Sequence, residues 1–280
     1  MDTVELANQK QMPILGYGTW RNDNPKECIE GVKDAISVGF THIDCASAYE
    51  NEELVGQGIK ESGIDRTDLF ITSKLRNSAH GYTQVRKEVE ETLEKLGTDY
   101  LDLYLIHWPV VKGKDGDWQT DNRETWRAFE ELYEEGILKS IGVSNFSIKH
   151  LKNLINHCKI TPMVNQIKVH PGIVQNELHE FCVENNIVIQ AYSPLAPIKD
   201  ISKEPRVKEM MEKYGKTVAQ LLLRFDLQKD VVPLTKTVHR SRMEENIAIF
   251  DFEIDADDMD FFNQWSHADY QIPDNERERG

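Results

Sequence analysis

The chain has 280 residues, of which 39% are hydrophobic and 29% charged, and its formal net charge is -15. Such a length holds one large α/β domain or two smaller ones, and so negative a charge argues against nucleic acid or an anionic membrane as partner, because both need a basic footprint. No apolar run approaches the ~20 residues of a membrane span, and the start Met1-Asp2-Thr3-Val4-Glu5-Leu6 has neither the basic stretch nor the long apolar core of a signal peptide. Cys28, Cys45, Cys158 and Cys182 form no CxxC pair, which fits reduced, buried thiols in a cytoplasmic protein better than a disulfide framework.

In chain order, Val4-Leu6 and Gln11-Ile14 read as an N-terminal hairpin, and a first long-sheet strand starts near Leu15-Gly16. Apolar runs then predict strands near 40–43, 69–73, 101–106, 138–143, 162–166, 188–192 and 230–234. Between and after them, helical spacing predicts helices over 25–38, 51–62, 81–96, 122–135, 147–157, 176–185, 217–228 and 240–248, with an extra helix over 204–213. Ser147 and Thr217 suit N-caps, and Gly97, Gly136 and Gly215 stand where helices should stop. No linker rich in Pro, Gly or Ser divides the chain, so residues 1–280 read as one domain. Strand–helix alternation over this length implies a parallel sheet with crossover helices, and eight units in ~250 residues fit a (β/α)8 TIM barrel with a short N-terminal β-hairpin. An open dinucleotide-binding sheet should show GxGxxG after its first strand, and Gly16-Tyr17-Gly18-Thr19 does not continue into that pattern.

Three of the apolar runs end in a titratable residue. The first ends at Asp44, with Tyr49 five residues on; the others end at Lys74 and His107. In a barrel the C-terminal strand ends converge on the face where active sites are built, so these four residues form a candidate catalytic set. The stretch Asp44-Cys45-Ala46-Ser47-Ala48-Tyr49-Glu50-Asn51-Glu52 closely resembles the signature of the aldo-keto reductase family. The resemblance covers nearly the whole chain. It continues through Gly16-Tyr17-Gly18-Thr19-Trp20, Ser73-Lys74-Leu75, Leu105-Ile106-His107-Trp108-Pro109, Ile141-Gly142-Val143-Ser144-Asn145-Phe146, Asn165-Gln166, His170-Pro171, Tyr192-Ser193-Pro194-Leu195 and Lys236-Thr237 with Arg242, Glu245 and Asn246.

The resemblance implies hydride transfer between a nicotinamide cofactor and a carbonyl, with Asp44, Tyr49, Lys74 and His107 as the catalytic tetrad. A phenol with an ordinary pKa of ~10 needs help to ionise, and a neighbouring ammonium would lower that value. Lys74 would supply the ammonium, Asp44 would hold it charged, and His107 would hydrogen-bond the carbonyl oxygen where negative charge grows. Family members that reduce a C=C bond beside a carbonyl carry glutamate at the position of His107, so the histidine favours carbonyl reduction.

The resemblance further assigns Ser144, Asn145 and Gln166 to the nicotinamide carboxamide, Tyr192 to stacking on its ring, and Ser193 and Leu195 to the pyrophosphate loop. It matches Lys236, Thr237 and Arg242 to an adenosine 2'-phosphate, and Glu245 and Asn246 to adenine. Two cations and a hydroxyl at a helix start suit a phosphate, so NADPH is expected over NADH. The expected substrate pocket has Trp20, Tyr49, Trp108 and Arg76. Arg76 stands where the family often has an aromatic, and it suggests acceptance of anionic carbonyls such as keto acids. Cys45 replaces a usual threonine, Lys168-Val169 replaces Glu-Tyr, and Leu234-Thr235-Lys236-Thr237 departs from Ile-Pro-Lys-Ser. The loop from Pro109 to Asp121 and the tail from Ser266 to Gly280 are short, which suggests an open pocket and small substrates, as in the bacterial diketogluconate and methylglyoxal-type reductases that the chain resembles.

Two rival readings remain at this level. A metal-dependent barrel hydrolase would need HxH or paired carboxylates at the strand ends; the histidines show no HxH, and Lys74 would repel a cation, so no metal is expected. A catalytically weak member that binds NADPH and acts as a binding or regulatory protein would keep fold and cofactor without turnover. Nothing in the sequence demands an oligomer, and a monomer acting on a small-molecule carbonyl substrate is the expectation.

Overall fold

The structure is a computed structural model and describes residues 2–112 and 117–277. The middle of the Pro109–Asp121 loop and the last three residues of the tail therefore lie outside the described residues. Strands β1 (Thr3–Glu5) and β2 (Gln11–Pro13) form the antiparallel N-terminal hairpin. The following strands are β3 (Gly16–Gly18), β4 (His42–Asp44), β5 (Phe70–Leu75), β6 (Leu103–Ile106), β7 (Ile141–Ser144), β8 (Val164–Lys168), β9 (Val188–Tyr192) and β10 (Val231–Thr235). They pair in parallel, each with its neighbour in sequence, and β10 pairs back onto β3 to close an eight-stranded barrel. Parallel pairing requires a crossover between successive strands, and helices supply it. The fold is the (β/α)8 barrel with a short N-terminal hairpin.

Local sequence explains where the helices begin and end. Asn24 accepts a hydrogen bond from the Glu27 N–H at 3.1 Å, and Pro25 opens the helix Pro25–Val38, where a missing N–H costs nothing. That helix stops at Gly39, whose φ of 116° is open to glycine but not to a residue with a Cβ. Thr217 and Gln220 form a reciprocal capping box at the start of Val218–Gln228.

Three elements differ from expectation. The helix after β6 runs Trp118–Glu134, because Asp117 accepts from the Thr120 N–H and caps it four residues earlier than the apolar spacing suggests. A one-turn helix, Ile198–Ile201, and a helix Ala256–Gln264 are additional. The latter is acidic and weakly periodic, and its legible signal is Asp255 capping the Asp258 N–H at 3.0 Å.

The main core lies between the barrel and its helices, built from residues such as Ile43, Ile71, Tyr104, Val143 and Phe129. A second cluster, including Val207, Leu221, Phe225 and Phe262, joins the helices Pro205–Tyr214, Val218–Gln228 and Ala256–Gln264. Inside the barrel, Gly142 is required by space, since a Cβ there would sit 2.6 Å from the Val164 carbonyl oxygen.

Candidate active site

The barrel register brings the four predicted residues to one end. Asp44 closes β4, Lys74 is the penultimate residue of β5, and His107 follows β6 directly. Tyr49 is delivered by the short turn Ser47–Tyr49, after which Glu50 takes a left-handed φ of 57°. Asp44 and Lys74 are 4% and 0% exposed, so each charge depends on the other.

The Lys74 ammonium has three hydrogens and three acceptors: Asp44 Oδ2 at 2.7 Å, the Cys45 carbonyl at 2.8 Å and the Tyr49 hydroxyl oxygen at 3.3 Å. An ammonium can only donate, so the Tyr49 oxygen accepts from Lys74. Its own O–H is left to donate elsewhere. Asp44 Oδ1 accepts from Gln166 Nε2 at 2.8 Å, and the same amide nitrogen donates to Gln190 Oε1 at 2.8 Å. The Asp44 carboxylate is thus held from two sides, by Lys74 on β5 and Gln166 on β8. The His107 ring meets Tyr49 edge-on, with centroids 5.8 Å apart.

Burial pushes the Tyr49 phenol above its ordinary pKa, and the Lys74 ammonium only partly opposes it. The sequence expectation of a lowered phenol is corrected here: the cation is in place, but the cost of burying a phenolate outweighs it. Burial also works against the charge on Lys74, yet Asp44, and after it Tyr49, raise its pKa. His107 is pushed down to about 3 by burial, by the Lys74 charge and by His80, so its imidazole is neutral at working pH.

These residues open onto a cavity of about 790 Å³, within the range of small-molecule and cofactor sites. Its walls include Trp20, Asp44, Tyr49, His107 and Trp108, then Ser144, Asn145 and Gln166, then Tyr192, Ser193 and Leu195, and finally Lys236. Lys74 lies behind Tyr49 rather than on the wall.

The polar floor is ordered. Asn145, in a left-handed conformation with φ 63°, donates to the His107 carbonyl at 2.9 Å and accepts from the Tyr192 hydroxyl at 2.8 Å. Ser144 Oγ donates to the Gln166 carbonyl at 2.7 Å. Thr235 Oγ1 on the wall is buried and has no hydrogen-bond partner among the described residues. Among the described residues no group of three or more His, Cys, Asp or Glu could hold a metal ion, and no helix is long and apolar enough to cross a membrane.

The sequence model of the Aldo/keto reductase family matches residues 14–198. The chain is 46% identical to the glyoxal reductase of Bacillus subtilis over 259 residues, covering 92% of this chain and 91% of that protein. The chain belongs to the aldo/keto reductase family. Among solved structures, an aldo-keto reductase enzyme from a Medee basin deep-sea metagenome library superposes with a TM-score of 0.93 at 38% identity, covering 99% of this chain and 100% of the other. The Bombyx mori aldo-keto reductase in complex with NADP superposes with a TM-score of 0.91 at 34% identity, covering 97% and 94%.

Several residues singled out from this reductase's sequence lie elsewhere. Arg76 is not on the cavity wall. Its Nε donates to Glu88 Oε1 at 2.8 Å and its terminal nitrogen to the Ser47 carbonyl at 2.9 Å, while Asn77 takes the wall position. Thr237, Arg242, Glu245 and Asn246 are also off the wall. Thr237 caps the His239 N–H at 3.1 Å, Glu245 accepts from the Thr217 hydroxyl, and Asn246 is buried. Arg242 is exposed in the first turn of Arg240–Ile247. Cys45 is a packing residue: its thiol donates to the Thr72 carbonyl at 3.2 Å, and burial pushes it well above its ordinary pKa. Sequence reasoning missed Gln190, which orients Gln166, and Arg277, which reaches the wall from the tail. A glutamine in the middle of an apolar strand was the available signal for the first.

Proposed function

We propose that this aldo/keto reductase reduces small aldehydes and ketones to alcohols with NADPH, and that Tyr49 delivers the proton. One observation carries the reading: Lys74 occupies the Tyr49 oxygen as a donor, which leaves the Tyr49 O–H directed at a ligand in the cavity. The floor residues suit a nicotinamide. The donor hydrogens of Ser144, Asn145 and Gln166 are engaged within the floor, so these residues offer acceptor oxygens to a carboxamide N–H, and Tyr192 offers a ring face. Lys236, directly after β10, and Arg242, in the first turn of Arg240–Ile247, are exposed cations that suit a ribose phosphate and favour NADPH over NADH. The silkworm relative's complex with NADP supports the same choice.

The hydride for the carbonyl carbon comes from reduced nicotinamide when NADPH is bound. Negative charge then grows on the carbonyl oxygen. Neutral His107 can donate a hydrogen bond to that oxygen but is no general acid, because a pKa of about 3 leaves no imidazolium proton to transfer. Tyr49 transfers its proton to the same oxygen, and the Lys74 charge stabilises the phenolate that forms. Asp44 keeps Lys74 charged, and Gln166 with Gln190 fixes Asp44. The named activity of the Bacillus subtilis relative points to glyoxal-like dicarbonyls as substrates.

The test is NADPH oxidation with methylglyoxal and glyceraldehyde, using the unmodified protein and Tyr49→Phe, with NADH as control. Turnover that requires Tyr49 and prefers NADPH is expected. Tight NADPH binding without turnover of any carbonyl would overturn the reading in favour of a binding protein.

A further inference from the structure

We infer that Tyr17, buried outside the cavity, is a positioning residue for the coenzyme's 2'-phosphate: it anchors the Lys236-Thr237 segment and so strengthens the preference for NADPH over NADH. The inference rests on the NADPH reading above, which places Lys236 at that phosphate.

Tyr17 holds the segment at two points. Its backbone pairs with Thr235 in the register of β3 against β10. Its hydroxyl donates to the Thr237 carbonyl at 3.0 Å. Residues 236–239 lie between β10 and the helix Arg240–Ile247 and belong to neither. Lys236 and Thr237 thus hang between a fixed strand end and a fixed carbonyl. Asn22 Nδ2 donates to the Tyr17 oxygen at 3.2 Å, so the Tyr17 proton is committed to Thr237. Tyr17, Asn22 and Thr237 are all buried, so water does not readily replace the bond when it is lost.

The fold makes room for this hydroxyl in particular. Gly31 lies inside the helix Pro25–Val38, where glycine is a poorer helix former than alanine. A Cβ at Gly31 would sit 2.8 Å from the Tyr17 hydroxyl oxygen but 3.9 Å from the ring carbon that bears it. The glycine is therefore required by the hydroxyl and not by the ring. A phenylalanine would keep the ring's edge-on contact with Phe40, whose centroid is 6.2 Å away. What the hydroxyl adds is the anchor at Thr237.

A second tie to the same helix is on the surface. Arg240 bonds Asp34 at 3.0 Å, with the side chains 47% and 36% exposed, and an exposed pair of this kind constrains little. The anchored segment is built to receive an anion. Thr237 Oγ1 accepts the His239 N–H at 3.1 Å, which leaves its own O–H to donate, and Lys236 adds charge from the cavity wall. Groups held in place before binding cost less to order on binding. Freeing the Thr237 carbonyl therefore weakens the nucleotide that carries the 2'-phosphate and spares the one that lacks it.

The test is equilibrium binding of NADPH and of NADH, read by quenching of tryptophan fluorescence, since Trp20 and Trp108 are on the cavity wall. Tyr17→Phe is expected to raise the Kd for NADPH about fivefold, the effect of one buried hydrogen bond, and to leave the Kd for NADH unchanged. Gly31→Ala, which crowds the hydroxyl, should act in the same direction and add nothing once Tyr17→Phe is present. Steady-state rates should repeat the pattern as a rise in KM for NADPH with kcat preserved. An unchanged ratio of the two Kd values in Tyr17→Phe, or an equal loss for both nucleotides, would overturn the inference and leave the NADPH reading intact. Equal binding of NADPH and NADH by the unmodified protein would overturn both.

Discussion

Asp44 and Asp226 are both buried aspartates, at 4% and 0% exposure, and they resolve their burial in opposite ways. Asp44 stands at the end of a barrel strand with an ammonium on one oxygen and an amide on the other. Asp226 stands on the helix that carries the second core cluster, and neither of its oxygens has a hydrogen-bond partner among the described residues. Burial pushes the Asp226 carboxyl well above its ordinary pKa, and only Lys229, whose Nζ is engaged by Asn176 and Asn263, pulls the other way. A buried carboxyl takes either a partner or a proton. The first choice fixes a charge where chemistry can use it. The second only removes a charge that packing cannot tolerate.

The largest effects are expected around Asp44. Tyr49→Phe should lower kcat for carbonyl reduction by about 10²–10⁴, the range for loss of a positioned proton donor, with little change in thermal stability. Lys74→Met should remove activity and also strand the Asp44 charge, a loss of about 3–5 kcal/mol in unfolding free energy measured by urea titration. Adding Asp44→Asn to Lys74→Met should return much of that stability and none of the activity. If the double variant were as unstable as the single one, the Lys74 penalty would lie in packing rather than in the orphaned charge.

At the second site the sign reverses. A carboxyl whose folded pKa is raised contributes stability that is fully present below its unfolded pKa of ~3.9 and is lost as pH rises through the folded value. Asp226→Asn keeps the shape and removes the titration. Its melting temperature should therefore match that of the unmodified protein near pH 4 and exceed it increasingly toward neutral and alkaline pH. The matching gap in unfolding free energy should widen by ~1.4 kcal/mol for each pH unit between the unfolded and folded pKa. A constant difference across pH would show that Asp226 does not titrate on unfolding.

The pH profile of reduction sharpens the same contrast within the site. His107, at about 3, should give no inflection near ~6.5, the ordinary histidine value. The rate should fall only on the alkaline side, where Tyr49 loses the proton it must donate, and its raised pKa moves that limb beyond ~10. Steady-state rates at saturating NADPH check both features.

Much of this was legible because strand-end chemistry is local. Asp44, Lys74 and His107 each follow an apolar run, and once the barrel closes their convergence is forced. Asn145 and Gln166 were assigned through the family resemblance alone, and both line the same cavity. What escaped depends on contacts between distant segments. Gln190 matters only through Gln166, Arg277 only through a tail clamped 127 residues away from Lys149, and the helix Ala256–Gln264 carries its capping signal in an acidic stretch with weak apolar spacing. The raised Tyr49 pKa escaped too, because a sequence names the neighbouring ammonium but not the depth of burial that opposes it.

Arg76 provides the smallest expected effect. From the sequence it is a cation one residue beyond Lys74-Leu75, well placed to read substrate charge. In the structure its guanidinium is shared between Glu88 and the carbonyl of Ser47, the first residue of the turn that carries Tyr49. Arg76→Gln should therefore act through that turn and lower kcat for charged and neutral aldehydes alike, by less than about fivefold, as expected for a hydrogen bond worth ~1 kcal/mol. The ratio of 4-carboxybenzaldehyde to 4-methylbenzaldehyde kcat/KM should not move. If it did, Arg76 would have to leave Glu88 when substrate binds, and Glu88→Gln, which frees the guanidinium, would then raise the ratio.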